Sequence, residues 1–99
     1  LVRGVGPALA DFGVGGTLTD PRLEIFSGTT AVATGDNWAD EANAGEIVAT
    51  ASAVGAFALR GGSRDAALLL TLPAGAYSAK VSGVANTTGE ALVEIYEVP

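Results

Sequence analysis

Apolar and polar positions along the chain fall into short alternating or continuous apolar runs, bounded by Gly, Pro, Asn, Asp and Ser. That pattern predicts strands. Leu1–Val5 is the first. Arg22–Ser27 alternates, with Leu23 and Ile25 on one face and Glu24 and Phe26 on the other. Ser27-Gly28-Thr29-Thr30 predicts a turn, and Ala31–Thr34 the returning strand of a hairpin. Ala66–Leu72 is nearly continuous apolar sequence, as in a strand covered on both faces. Leu72-Pro73-Ala74-Gly75 fits a type I turn, with Pro73 presetting φ at the second position and Gly75 at the fourth. Ala76–Val81 follows, with Tyr77, Ala79 and Val81 on one face and Ser78 and Lys80 on the other. Glu90–Val98 predicts the closing strand. Its alternation leaves the inward face open, because Ala91, Val93 and Ile95 lie opposite Leu92, Tyr96 and Val98. Both faces are therefore expected to be covered, one by the partner sheet and one by another chain.

A helical period occurs once in strength. Ala44, Ile47, Val48, Ala51 and Val54 fall on one helix face. Asn43 is the candidate N-cap, Glu46 sits three residues on, and Gly55 is placed to end the helix. Its β-branched residues predict a short element. Pro7–Phe12 suits a further helical turn or two with Pro7 at its first position. Five or six short strands with one small helix near residues 43–54 predict an all-β fold, an antiparallel β-sandwich of jelly-roll-like kind.

The 99 residues make one module, residues 1–99. With 48% hydrophobic and 16% charged residues, the chain is built to pack rather than to stay disordered. It contains no Cys and no His, which excludes disulfides, Cys/His zinc sites, Ser-His-Asp triads and cysteine nucleophiles. Five basic against 11 acidic residues give a net charge of −6, which argues against nucleic acid as a partner. No apolar run approaches the roughly 18 residues of a membrane span. Both ends read as strands without polar tails, so the module is expected to be cut or processed out of a longer chain.

Several patches together resemble the bacterial pre-peptidase C-terminal-like domains. Asp20-Pro21-Arg22-Leu23-Glu24-Ile25-Phe26 is similar to a strand of that family, and Ala33-Thr34-Gly35-Asp36-Asn37-Trp38 to the acidic segment after it. Leu72-Pro73-Ala74-Gly75-Ala76-Tyr77 resembles its turn, Val81-Ser82-Gly83 the end of the following strand, and residues 88–96 its closing strand. Leu1-Val2-Arg3-Gly4-Val5-Gly6-Pro7-Ala8-Leu9 is similar to the start of a related repeat in large secreted proteins of environmental bacteria. The resemblance implies a non-catalytic β-sandwich of secreted or cell-surface bacterial proteins, accessory to enzymes or repeated in structural proteins. Some relatives bind calcium, and some bind polymers such as collagen or polysaccharide. The chain departs from the family in having Asn37 where a second Asp is common.

Candidate chemistry is sparse. Asp36, Asn37, Asp40 and Glu41 lie within six residues and offer oxygens of the kind Ca²⁺ takes, so calcium is the one candidate cofactor. The alternative is an Asx-turn followed by acids at a helix start. Trp38 suits either stacking on a sugar or plugging one end of the fold. Trp38, Tyr77, Tyr96 and Phe26 are the candidate contacts for a polysaccharide or protein polymer. Arg3, inside an apolar strand, is expected to pair with Glu94 or Glu97 if the terminal strands are neighbours. Gly13-Val14-Gly15-Gly16 lacks the Lys-Ser/Thr of a phosphate loop and reads as a connection. Asn86-Thr87-Thr88 matches a glycosylation sequon in a predicted loop. No pair of carboxylates sits in a recognisable catalytic setting, so no enzymatic activity is expected. The expectation is a self-associating structural module. It works with copies of itself or tandem neighbours through Leu1, Val2, Arg3, Val5, Leu92, Glu94, Tyr96 and Val98, as in the subunit of a fibre. The alternative is an accessory polymer-binding domain on a secreted enzyme.

Overall fold

The computed structural model describes residues 1–98. Its strands are β1 (Val2–Val5), β2 (Pro21–Ser27), β3 (Thr30–Gly35), β4 (Ala66–Leu68), β5 (Ser78–Gly83) and β6 (Leu92–Ile95). They form two three-stranded antiparallel sheets, ordered β4-β1-β6 and β3-β2-β5. One α-helix, α1 (Ala44–Ala53), and 3-10 turns at Pro7–Phe12, Trp38–Asp40 and Val84–Asn86 complete the chain. The fold is thus β-rich with one short helix, and no helix among the described residues is long and apolar enough to cross a membrane.

Alternation sets which faces meet. Leu23 and Ile25 of β2 are buried against Ala66 and Leu68 of β4, with Val2 and Val81 packed beside them. Gly4 of β1 looks into the same layer, where an added Cβ would lie 3.0 Å from Val81 Cγ2. The other face of the β4-β1-β6 sheet carries Leu1 and Ala67, packed on Trp38, Ile47 and Ala51. This sheet is therefore the middle layer, with the β3-β2-β5 sheet on one side and α1 on the other.

Turn chemistry follows the sequence at the β2–β3 loop and at Pro7, whereas residues 72–75, expected as a type I turn, form a bend without the Gly75 N–H to Leu72 carbonyl bond. Ser27 pairs with Thr30, and Gly28 takes φ +62° at the first central position of the two-residue loop, which suits glycine. The β2–β3 register then shifts between Ile25 and Phe26, leaving Val32 as the extra residue of a bulge. Pro7 opens its 3-10 turn as expected. Buried Asp65 anchors that turn: Oδ1 accepts from the Gly6 and Ala8 N–H groups at 2.8 and 3.2 Å, and Oδ2 from Ser63 Oγ at 2.7 Å.

Three expectations are corrected. The strand expected over 66–72 stops at Leu68, because the Leu69 carbonyl accepts from Asn43 Nδ2 at 3.2 Å. Asn43 thus precedes α1 as expected but makes no side-chain cap. The closing strand spans Leu92–Ile95 only. Glu90 turns aside to bond Gly16 and Leu18, while the Tyr96 N–H reaches the Leu1 carbonyl at 2.8 Å. Finally, β1 is the central strand of its sheet, paired with β4 and β6. Its edges are occupied, so Leu1, Val2, Arg3 and Val5 are not available for pairing with another chain.

Candidate functional site

The β2–β3 register brings the residues before β2 beside those after β3, and so Asp20 joins the acidic loop. Asp36 Oδ1, Asn37 Oδ1 and Asp20 Oδ1 are all buried without a hydrogen-bond partner. Asn37 Nδ2 donates to Asp40 Oδ2 at 3.4 Å. Burial of the Asp36 carboxyl pushes its pKa up to about 6, helped by the closeness of the Asp20 carboxyl and the negative charge of Asp40; Arg22 opposes the shift. The structure thus groups Asp36, Asn37 and Asp40 and adds Asp20. Glu41 contributes backbone bonds instead, its N–H to the Trp38 carbonyl and its own carbonyl to the Ala44 N–H. Among the described residues, no three His, Cys, Asp or Glu side chains converge as a metal-holding group. The orphaned oxygens belong to two carboxylates and one amide.

Arg3 meets the carboxylate expected of it, but in the interior. Its Nε lies 2.9 Å from Glu94 Oε1, with the two side chains 0% and 15% exposed. Nη1 donates to the Phe57 carbonyl at 2.7 Å, and the guanidinium lies 4.4 Å from the centre of the Phe57 ring. Nη2 makes no hydrogen bond, and Nε and Glu94 Oε1 meet as an ion pair without hydrogen-bond alignment. The Tyr96 hydroxyl donates to Glu94 Oε2 at 2.6 Å, which raises the Tyr96 pKa. Arg3, Glu94 and Tyr96 are thereby joined in one cluster that fastens β6 to β1.

The aromatic residues do not form a binding platform. Trp38 is buried, and its indole N–H donates to Ser63 Oγ at 3.2 Å, so it plugs the space under α1. Tyr77 is half-buried against the inter-sheet core, its hydroxyl donating to the Pro73 carbonyl at 2.6 Å. Tyr96 packs against the α1-side core, and Phe26 is half-buried on β2. The exposed aromatic is Phe12, in edge contact with Phe57 at 4.9 Å. A cavity of about 330 Å³ opens beside α1, walled by Trp38, Ile47, Ala51, Ala56 and Leu59 with Arg3 at its floor. Arg3 has no exposed surface there, so the cavity offers apolar walls and little polar chemistry.

Exposed apolar surface gathers elsewhere. Of the eight large hydrophobic residues exposed in the structure, Leu92, Val93, Ile95 and Val98 lie within seven positions of the chain. Ile95 is 71% exposed. The last strand, expected to be covered on both faces, is covered at Glu94 and Tyr96 and open at Val93 and Ile95 among the described residues. The signal for this lay in the alternation itself, where neither face was polar. No protein-family model, no curated protein and no solved structure matches the chain.

Proposed function

We propose that the chain is a non-catalytic structural and interaction module of jelly-roll-like β-sandwich type that associates with copies of itself through strand edges, outside the cell or on its surface. The observation that carries this reading is the clustering of Leu92, Val93, Ile95 and Val98 at the surface, on and next to a strand with one free edge. Free edges pair readily with other strands, and concentrated apolar surface marks contact sites. Sedimentation velocity over a wide concentration range tests it. Growth of species beyond 9.8 kDa is the expected result, and Ile95→Ser is expected to weaken it. The accessory polymer-binding alternative loses support from the packing of Trp38 and Tyr77 into the core.

A second reading is favoured by the orphaned oxygens of Asp20, Asp36 and Asn37. They suit a hard cation, which takes six to eight oxygens from side chains, carbonyls and water. Calcium would supply structural stabilisation there, joining the start of β2 to the end of β3. The expected result is a rise in melting temperature on adding calcium that Asp36→Asn abolishes. An unchanged melting temperature rejects this reading.

A further inference from the structure

The strand register puts the apolar surface of β6 and the cavity beside α1 on opposite faces of one sheet. Gly4 pairs with both Ala66 and Val93, and Val2 with both Leu68 and Ile95. Directly opposed residues share a face of the sheet. Val93 and Ile95 therefore lie on the face that packs Ala66 and Leu68 against the β3-β2-β5 sheet. Val93 is sheltered in a groove with Leu18 and Val81, whereas Ile95 stands out, 71% exposed. Arg3 pairs with Ala67 and Glu94, on the α1 face, and Arg3 floors the cavity of about 330 Å³. Small residues leave that space open, with Ala51 and Ser52 of α1 on one wall and Ala56 and Ala58 on the other. Apolar surface continues around it: Val48 is exposed on the rim, and exposed Phe12 rests on Phe57 of the second wall segment.

We infer that this cavity receives the Ile95 side chain of a second copy, in a head-to-tail contact. The inference rests on the self-association reading above and specifies what the exposed strand enters. Two features select this occupant. The first is charge. Residues 47–64, which supply both walls of the cavity, contain no Asp or Glu and carry Arg60 and Arg64. Arg60 is bound to Asp11, while Arg64 is exposed and makes no ion pair among the described residues. Glu46, the acid of α1, lies on the other side of the helix, beside Thr50 and Tyr96. β6 brings the opposite sign, with Glu90 and Glu97 exposed beyond its two ends and no Lys or Arg in residues 81–98. In a chain of net charge −6, this is a pairing of an acidic surface with one that carries no acid. The second is fit. An apolar cavity of about 150 Å³ admits a benzene-sized molecule, so the larger space beside α1 admits a branched aliphatic side chain. β6 is the outer strand of its sheet, which puts Ile95 at the margin of the molecule, free to enter. The contact is heterologous. Each copy engages one neighbour on each face of the sheet, so the series extends beyond a dimer.

Complementation between two variants of the full chain, followed by sedimentation, tests this. Ile95→Ser removes the entering side chain. Ser52→Phe fills the cavity from an exposed helix position, where Ser and Phe have similar helix propensity. Ala58→Phe, exposed on the facing wall, is a second block that leaves α1 untouched. Each variant alone is expected to associate about tenfold or more weakly than the unmodified chain. An equimolar mixture of Ile95→Ser with either blocked variant is expected to recover one contact and stop at a heterodimer, since one partner keeps Ile95 and the other an open cavity. An Ile95→Ser chain or two blocked chains that assemble like the unmodified one, or mixtures that recover nothing, overturn this inference and leave self-association standing. An unmodified chain that stays monomeric at every concentration overturns both.

Discussion

Arg3 sits in the middle strand of the middle layer with no exposed surface, between Glu94 and the face of Phe57. A buried charge is tolerable only while its partner stays, and removing one member of such a pair costs roughly 3–5 kcal/mol. Glu94→Ala is therefore expected to lower the urea midpoint sharply, because it strands the Arg3 guanidinium and frees the Tyr96 hydroxyl. Replacing Arg3 and Glu94 together with apolar residues is expected to recover much of the loss. A single-site cost below about 1 kcal/mol would show that the pair behaves as an exposed one. Asp36 makes a second prediction. Its carboxyl ionises near 6 in the folded chain against 3.8 when free. The folded state thus holds the proton more tightly, so calcium-free stability is expected to fall as pH rises from about 4 to about 6. It is complete below that window and lost above it. Asp36→Asn is expected to flatten the slope. Melting curves at closely spaced pH values check both, and a stability that climbs through the window contradicts the assignment. That Arg3 meets Glu94 or Glu97 was readable from the sequence, since both ends of the chain read as strands; the β1–β6 register selects Glu94. The part played by Asp20 was not, since sixteen positions separate it from Asp36 and only the hairpin register brings them together.

Elements formed where local chemistry and long-range partners agreed. β2, its Gly28 turn and β3 needed only alternation and a glycine at the right place. α1 needed its apolar stripe, and the Pro7 turn its proline. β4 and β6 came out shorter than their apolar runs because segments remote in sequence took their backbone groups. Asn43 holds the Leu69 carbonyl, and Gly16 and Leu18 bond Glu90. No local pattern announces such partners. The junction of β1 with its 3-10 turn shows the same dependence on tertiary contact. A side chain on Gly6 would collide with the Leu18 carbonyl, while the Gly6 N–H is held by Asp65. Gly6→Ala is expected to destabilise the chain by roughly 1–3 kcal/mol, the usual cost of overpacking a site that cannot yield. Denaturant titration measures it; a neutral substitution would mean that the Leu18 segment moves aside freely.

At the scale of the molecule, the β-rich architecture was legible, and so were the inward faces of β2 and β5. What alternation left open was the inward face of the last strand, since that depends on how many strands stand opposite. The β4-β1-β6 sheet has α1 over one face and a neighbouring sheet that stops at β5 over the other, leaving Val93 and Ile95 at the surface. Net charge of −6 makes copies repel, so association is expected to strengthen with salt as that repulsion is screened. Sedimentation velocity across protein concentration, at low and moderate ionic strength, tests self-association most directly. The account predicts a concentration-dependent shift from the 9.8 kDa species to larger ones, favoured by salt and weakened by Ile95→Ser. A single 9.8 kDa species under every condition would contradict it.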